Sequence, residues 1–165
     1  MHNYKKLDDI LNDNALDLLI DRPASINIMV KSGKLISCNY QGNFADVIGL
    51  SLDMINGLVS QYDSDGQSAL YILSSIKNCD SLINTFSIDK NKIESSVYID
   101  IAEDRNIKSL YTGNLMGHIM AFNCFIKKFC NDNNLDPKEY NELLNDSYVK
   151  FINNKCPDKM NVIEL

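Results

Sequence analysis

The sequence predicts an α+β protein: two tandem ββαα units related by a pseudo-twofold, forming an antiparallel sheet of about four strands packed against helices, plus an N-terminal helix. Three observations predict it. Residues 25–79 lie on residues 96–150 at a constant offset of 71, without a gap. Each copy opens with two short alternating strands joined by a turn. Each then passes a glycine and enters apolar stripes of helical period.

The self-match carries ten identities in 55 positions. Ser25 falls on Ser96, Ile28 on Ile99, Ile36 on Ile107, Ile48 on Ile119, Ile55 on Ile126, Asp65 on Asp136 and Leu73 on Leu144. The densest stretch sets Tyr40-Gln41-Gly42-Asn43 on Tyr111-Thr112-Gly113-Asn114. A fixed-period self-match is the mark of a repeated architecture, and two copies suit a closed pseudo-dimer better than a solenoid. The alternative is two unrelated stretches sharing strand-turn-helix grammar.

Taken in order, residues 4–21 place Tyr4, Leu7, Ile10, Leu11, Leu18 and Leu19 at helical spacing. The helix should stop before Pro23, because a residue preceding proline disfavours helix. Ile26–Val30 and Leu35–Tyr40 alternate around Ser32-Gly33-Lys34 and predict a hairpin. Gly42 breaks the second strand, and Asn43 caps a helix whose stripe is Phe44, Ile48, Ser51, Ile55 and Leu58. A second helix is expected from Asp65-Gly66, carrying Ala69, Ile72, Leu73 and Ile76.

The second unit repeats this order. Val97–Ile101 and Ile107–Tyr111 are its strands, and Gly113-Asn114 breaks and caps. Leu115, Ile119, Phe122, Ile126 and Phe129 form the stripe, and a last helix starts at Asp136-Pro137. The expected organisation is one domain over 1–165. It divides into an N-terminal helix (1–22), unit one (25–79), a connector (80–95), unit two (96–152) and a tail (153–165). Thr85–Ile88 could add a strand in the connector, and Val162-Ile163 could dock as an edge.

Composition bounds the function. A hydrophobic content of 45% is too high for disorder, and no run of 18 apolar residues predicts a membrane span. The opening Met1–Asp9 lacks the apolar core of a secretory signal. Five cysteines without regular spacing point to free thiols in a reducing, cytoplasmic compartment. Net charge is −6 with no basic patch, which argues against nucleic acid. Abundant Asn, Ile and Lys with two arginines suit an AT-rich genome, such as that of a low-GC bacterium, its phages or other mobile elements, or an AT-rich virus.

The chemistry-bearing candidates are few. Each Tyr-x-Gly-Asn turn sets backbone N–H groups at a helix N-terminus, where partial positive charge attracts phosphate or carboxylate. Tyr40, Gly42 and Asn43, paired with Tyr111, Thr112, Gly113 and Asn114 and with His118 beyond the second turn, could hold an anionic, nucleotide-like ligand, the tyrosines stacking on bases. The structural reading is that glycine permits the turn, asparagine caps and tyrosine packs. His118 stands one helical turn beyond Asn114; its counterpart is Val47, so a shared catalytic role is not expected. Asp63–Gln67 fails as a calcium loop, because Gln61 and Ile72 occupy positions that should be acidic. Asp100, Glu103 and Asp104 give no converging pair, and Cys124 reads as a structural thiol. The Gly113-x-x-x-Gly117 spacing reads as a packing device. No catalytic set, metal site or cofactor is expected.

The leading expectation is therefore a non-catalytic cytoplasmic binding protein that occupies a protein partner, as inhibitors, antitoxins or immunity proteins do. Its working surface would be helix faces or the N-terminal helix, and its partner basic. Capture of a small anionic ligand at the paired turns is the alternative, and a hydrolase or transferase using His118 the third. Homo-oligomerisation is compatible with each.

Overall fold

The computed structural model describes residues 23–62, 69–102 and 106–155. The expected helix over 4–21, the Asp63–Gln67 turn, Glu103, Asp104 and the Val162-Ile163 edge lie outside the described residues.

The chain runs β1 (Ala24–Lys31), β2 (Lys34–Gln41), α1 (Phe44–Tyr62), α2 (Ala69–Lys77), α3 (Cys79–Thr85), a 3₁₀ turn (Lys90–Lys92), β3 (Ser95–Ile101), β4 (Ile107–Gly113), α4 (Leu115–Asp132) and α5 (Pro137–Lys155). The four strands form one antiparallel sheet in the order β2-β1-β3-β4, so the α+β architecture and the strand number are as expected.

The two hairpins pair in the same register. Ser25↔Gln41, Ile26↔Tyr40, Asn27↔Asn39 and Ile28↔Cys38 in the first become Ser96↔Thr112, Val97↔Tyr111, Tyr98↔Leu110 and Ile99↔Ser109 in the second, each 71 residues on. In the centre, Asn27 of β1 faces Tyr98 of β3, its own counterpart at that offset. The hairpins differ at their tips. The first slips register between Met29 and Val30 and closes on Ser32-Gly33, both at positive φ, as a two-residue hairpin turn requires. The second keeps its register to Ile101↔Ile107.

The sheet is dry on one face. Ile26, Ile28 and Val30 of β1 and Val97, Ile99 and Ile101 of β3 are buried at alternate positions. The helices cover that face crosswise. Tyr40 on β2 sets its ring edge-on to Phe125 and Phe129 of α4 at 5.9 and 5.2 Å, and its hydroxyl donates to Asp132 Oδ2 at 2.7 Å. Tyr111 on β4 donates to the Met54 carbonyl of α1 at 2.9 Å. Each outer strand is thus held by the long helix that follows the other hairpin. Phe129 is the hub of the aromatic core, stacked on Phe44 and Phe125 and edge-on to Tyr140. The Tyr140 hydroxyl bonds Ser51, whose own proton goes to the Ile48 carbonyl.

The connector departs from expectation. Thr85–Ile88 forms no strand: α3 reaches Thr85, and Ser87 turns the chain at φ 49°. Cys79 and Ile83, four residues apart, are the buried positions of α3, so the local period is helical. A break at Asn78 separates α2 from α3, whereas α5 runs on unbroken.

Candidate functional site

Both Tyr-x-Gly-Asn turns have the local geometry their residues dictate. Gly42 and Gly113 sit at φ 121° and 114°, where a side chain is strained. Asn43 Oδ1 accepts from the Asp46 amide and Asn114 Oδ1 from the Gly117 amide, both at 2.9 Å. The first turn of α1 already contains a carboxylate, the buried Asp46. The N-terminus of α4 is roofed by the chain before β3: the Asn114 amide donates to the Glu94 carbonyl at 3.0 Å, and Asn114 Nδ2 to the Lys92 carbonyl.

The turns are not neighbours. Gly42 lies against Ala24, and Gly113 against Ser95. Ala24 and Ser95 stand at opposite ends of the central strand pair, since Ala24 faces Ile101 and Ser95 faces Val30. Six strand residues separate them, about 20 Å. The tyrosines stand closer along the strands, Tyr40 level with Ile26 and Tyr111 with Ile28, but on the two outer strands and with their hydroxyls tied to different helices. Thr112 is exposed on β4, facing Ser96.

His118 is buried, and its Nδ1 shares a 2.7 Å hydrogen bond with the buried Ser95 hydroxyl. The Tyr111 ring stands edge-on to it at 6.1 Å. Burial holds the imidazole below its ordinary 6.5. The unfolded chain therefore takes up a proton before the folded one does. The contribution of His118 to stability is complete above pH 6.5 and declines as the pH falls below it. Urea unfolding at pH 7.5 and 5.5 should show this loss. His118→Val, which installs the residue of the equivalent position 47, should shrink it.

Gly113-x-x-x-Gly117 does pack closely, though against the Glu94 backbone and not another helix. Among the described residues, Cys38, Cys79, Cys124 and Cys130 are free thiols; burial pushes Cys38 and Cys79 up to about 11 and Cys130 to about 12. No group of three metal-ligating side chains occurs among the described residues.

No family model, curated protein or solved structure matches this chain. The surface itself must indicate the working face.

No described helix packs on the second face of the sheet. Asn27 of β1 faces Asn39 of β2 and Tyr98 of β3, and Tyr98 faces Leu110 of β4. Met29, diagonal to Tyr98 across the strands, completes an apolar stripe, with Met29 42%, Tyr98 38% and Leu110 59% exposed. Around it stand Asn27, Asn39, Ser96 and Thr112, with Lys31, Asp100 and Lys108 nearer the strand ends. The Tyr98 hydroxyl donates to Asp100 Oδ2 at 2.5 Å, which fixes the ring on this face. Sequence reasoning missed this surface because it read each strand for its buried alternation. The complementary positions Asn27-x-Met29, Ser96-x-Tyr98-x-Asp100 and Lys108-x-Leu110-x-Thr112 were the available signal.

Proposed function

We propose that this chain is a non-catalytic binding protein that acts by occupying a protein partner, which docks on the uncovered sheet face. The observation that carries the reading is the Met29–Tyr98–Leu110 stripe in its frame of amides and hydroxyls. An apolar centre with a polar rim is the anatomy of a protein interface, and tyrosine is enriched among the residues that dominate binding energy. Antiparallel sheets ordinarily present polar side chains to water, so three large exposed apolar groups at neighbouring positions ask for a cover. The lysines on this face do not favour a basic partner. The partner this face suits presents apolar side chains ringed by hydrogen-bonding groups.

The mode of action is that of an inhibitor, antitoxin or immunity-like protein, and the free thiols are in keeping with a reducing cytoplasm. We read the two halves as tandem copies of one element, a reading supported by the shared hairpin register and the reciprocal tyrosine contacts. Anion capture at the paired turns is the weaker reading, given Asp46 in one helix terminus and the Glu94 carbonyl over the other.

The test is a double substitution, Tyr98→Ser with Leu110→Ser. Both side chains are exposed, so the change in stability should stay within about 0.5 kcal/mol. A protein that co-purifies with the wild-type chain should be lost from the variant. Retention by this variant, with loss on charge reversal at the exposed Glu142 and Asp146 of α5, would move the working surface to the helices.

A further inference from the structure

A second site lies on the covered side of the sheet, where α1 meets the edge strand β4. Asp53, Asn56, Gly57 and Ser60 of α1 and Ser109 and Tyr111 of β4 line a cleft of about 220 Å³. Its polar groups are unevenly committed. The Tyr111 hydroxyl already donates to the Met54 carbonyl, and the Ser60 hydroxyl to the Asn56 carbonyl at 2.8 Å. Both oxygens keep lone pairs and have no proton left to offer. The half-buried Asp53 carboxylate has no hydrogen bond or ion pair among the described residues, and burial raises it above the usual carboxylate range. Asn56 and Ser109 can donate as well as accept, and the one charged group lining the cleft is Asp53; an unneutralised carboxylate flanked by the Tyr111 and Ser60 oxygens is complementary to a cation that donates.

The other half of the molecule offers a partial parallel, a cation beside the tyrosine, although its carboxylate, Asp132, corresponds to Gln61 and the counterpart of Asp53 is Cys124. At the 71-residue offset, Tyr40 corresponds to Tyr111, Cys38 to Ser109 and Lys128 to Gly57. There the Lys128 ammonium lies 3.4 Å from Asp132 Oδ2, the atom that also takes the Tyr40 proton, and it reaches Cys38 electrostatically. Gly57 brings no side chain to the cleft, and the Tyr111 hydroxyl fills the space beside it, 3.0 Å from where a Cβ would stand.

We propose that the Asp53–Tyr111 cleft binds an organic cation bearing N–H donors, an alkylammonium or guanidinium. The site is independent of the partner on the uncovered face.

The test follows backbone amide resonances of the full chain during titration with n-butylguanidinium chloride, against tetramethylammonium chloride at equal ionic strength. Saturable shifts at Asn56, Gly57 and Ser109 are expected with the first salt and none with the second, which has no N–H. Asp53→Asn, which keeps the shape of the side chain, should weaken binding at least tenfold. Titration with N-acetylarginine amide separates the sources of the cation. Binding as tight as that of butylguanidinium supports the site and assigns it to a side chain of a protein. Much weaker binding supports the site and assigns it to a free amine or guanidine. Absence of saturable shifts with butylguanidinium, equal shifts with tetramethylammonium, or unchanged affinity in Asp53→Asn overturns the proposal.

Discussion

Gly117→Ala should destabilise the fold by about 3 kcal/mol, the upper range for forcing atoms into a packed interior. Gly117 lies in the first turn of α4, where a Cβ would stand 1.8 Å from the Glu94 carbonyl oxygen and 2.3 Å from its carbon. The obstacle is backbone, and it is pinned: the same carbonyl accepts from the Asn114 amide, and Ser95 beyond it begins β3. Relief requires moving either the strand or the helix cap. Against a typical total of about 5–15 kcal/mol, such a loss is large. Gly57→Ala is the control. It would meet only the hydroxyl end of Tyr111, at 3.0 Å, and gains up to about 1 kcal/mol of helix propensity. Urea titration of both variants checks the contrast, and a loss under 1 kcal/mol for Gly117→Ala would contradict the tight apposition of α4 on the Glu94 segment.

Phe129→Ala should cost about 3–5 kcal/mol, as large aromatic truncations in a close-packed interior do. Phe129 is 1% exposed, and four aromatic rings meet it: Tyr40, Phe44, Phe125 and Tyr140. Those rings come from β2, α1, α4 and α5, so the cavity would open where both halves join. Loss should exceed that of Leu58→Ala, the equivalent position in α1, which has no ring to lose and about 2–5 kcal/mol at stake. Equal losses at the two positions would mean that the aromatic cluster contributes little beyond apolar burial.

What the sequence made legible was local. A positive-φ glycine followed by an asparagine cap is a short-range instruction, so Gly42-Asn43 and Gly113-Asn114 form as their residues dictate. The hairpins were legible because alternation and a turn specify register over a few residues. The crosswise covering was not legible, because the pairing of Tyr40 with Asp132 and of Tyr111 with Met54 depends on which helix lies over which strand. A sequence pattern does not encode that choice. The tyrosines that looked free to stack on a base are instead held to α1 and α4. The helical period of Cys79 and Ile83 was present in the connector, but seven residues are too few to separate a short helix from a loop by periodicity. The cleft at Asp53 draws on residues more than 50 positions apart, and no motif joins them.

The most direct test of the uncovered face as the working surface is photo-cross-linking in cells. A benzophenone side chain at Asn27, in the middle of that face, is compared with one at Glu142 on α5. A discrete heavier species, containing this chain and one partner protein, is expected from position 27 and none from position 142. Adducts from position 142 alone would contradict the uncovered face as the working surface.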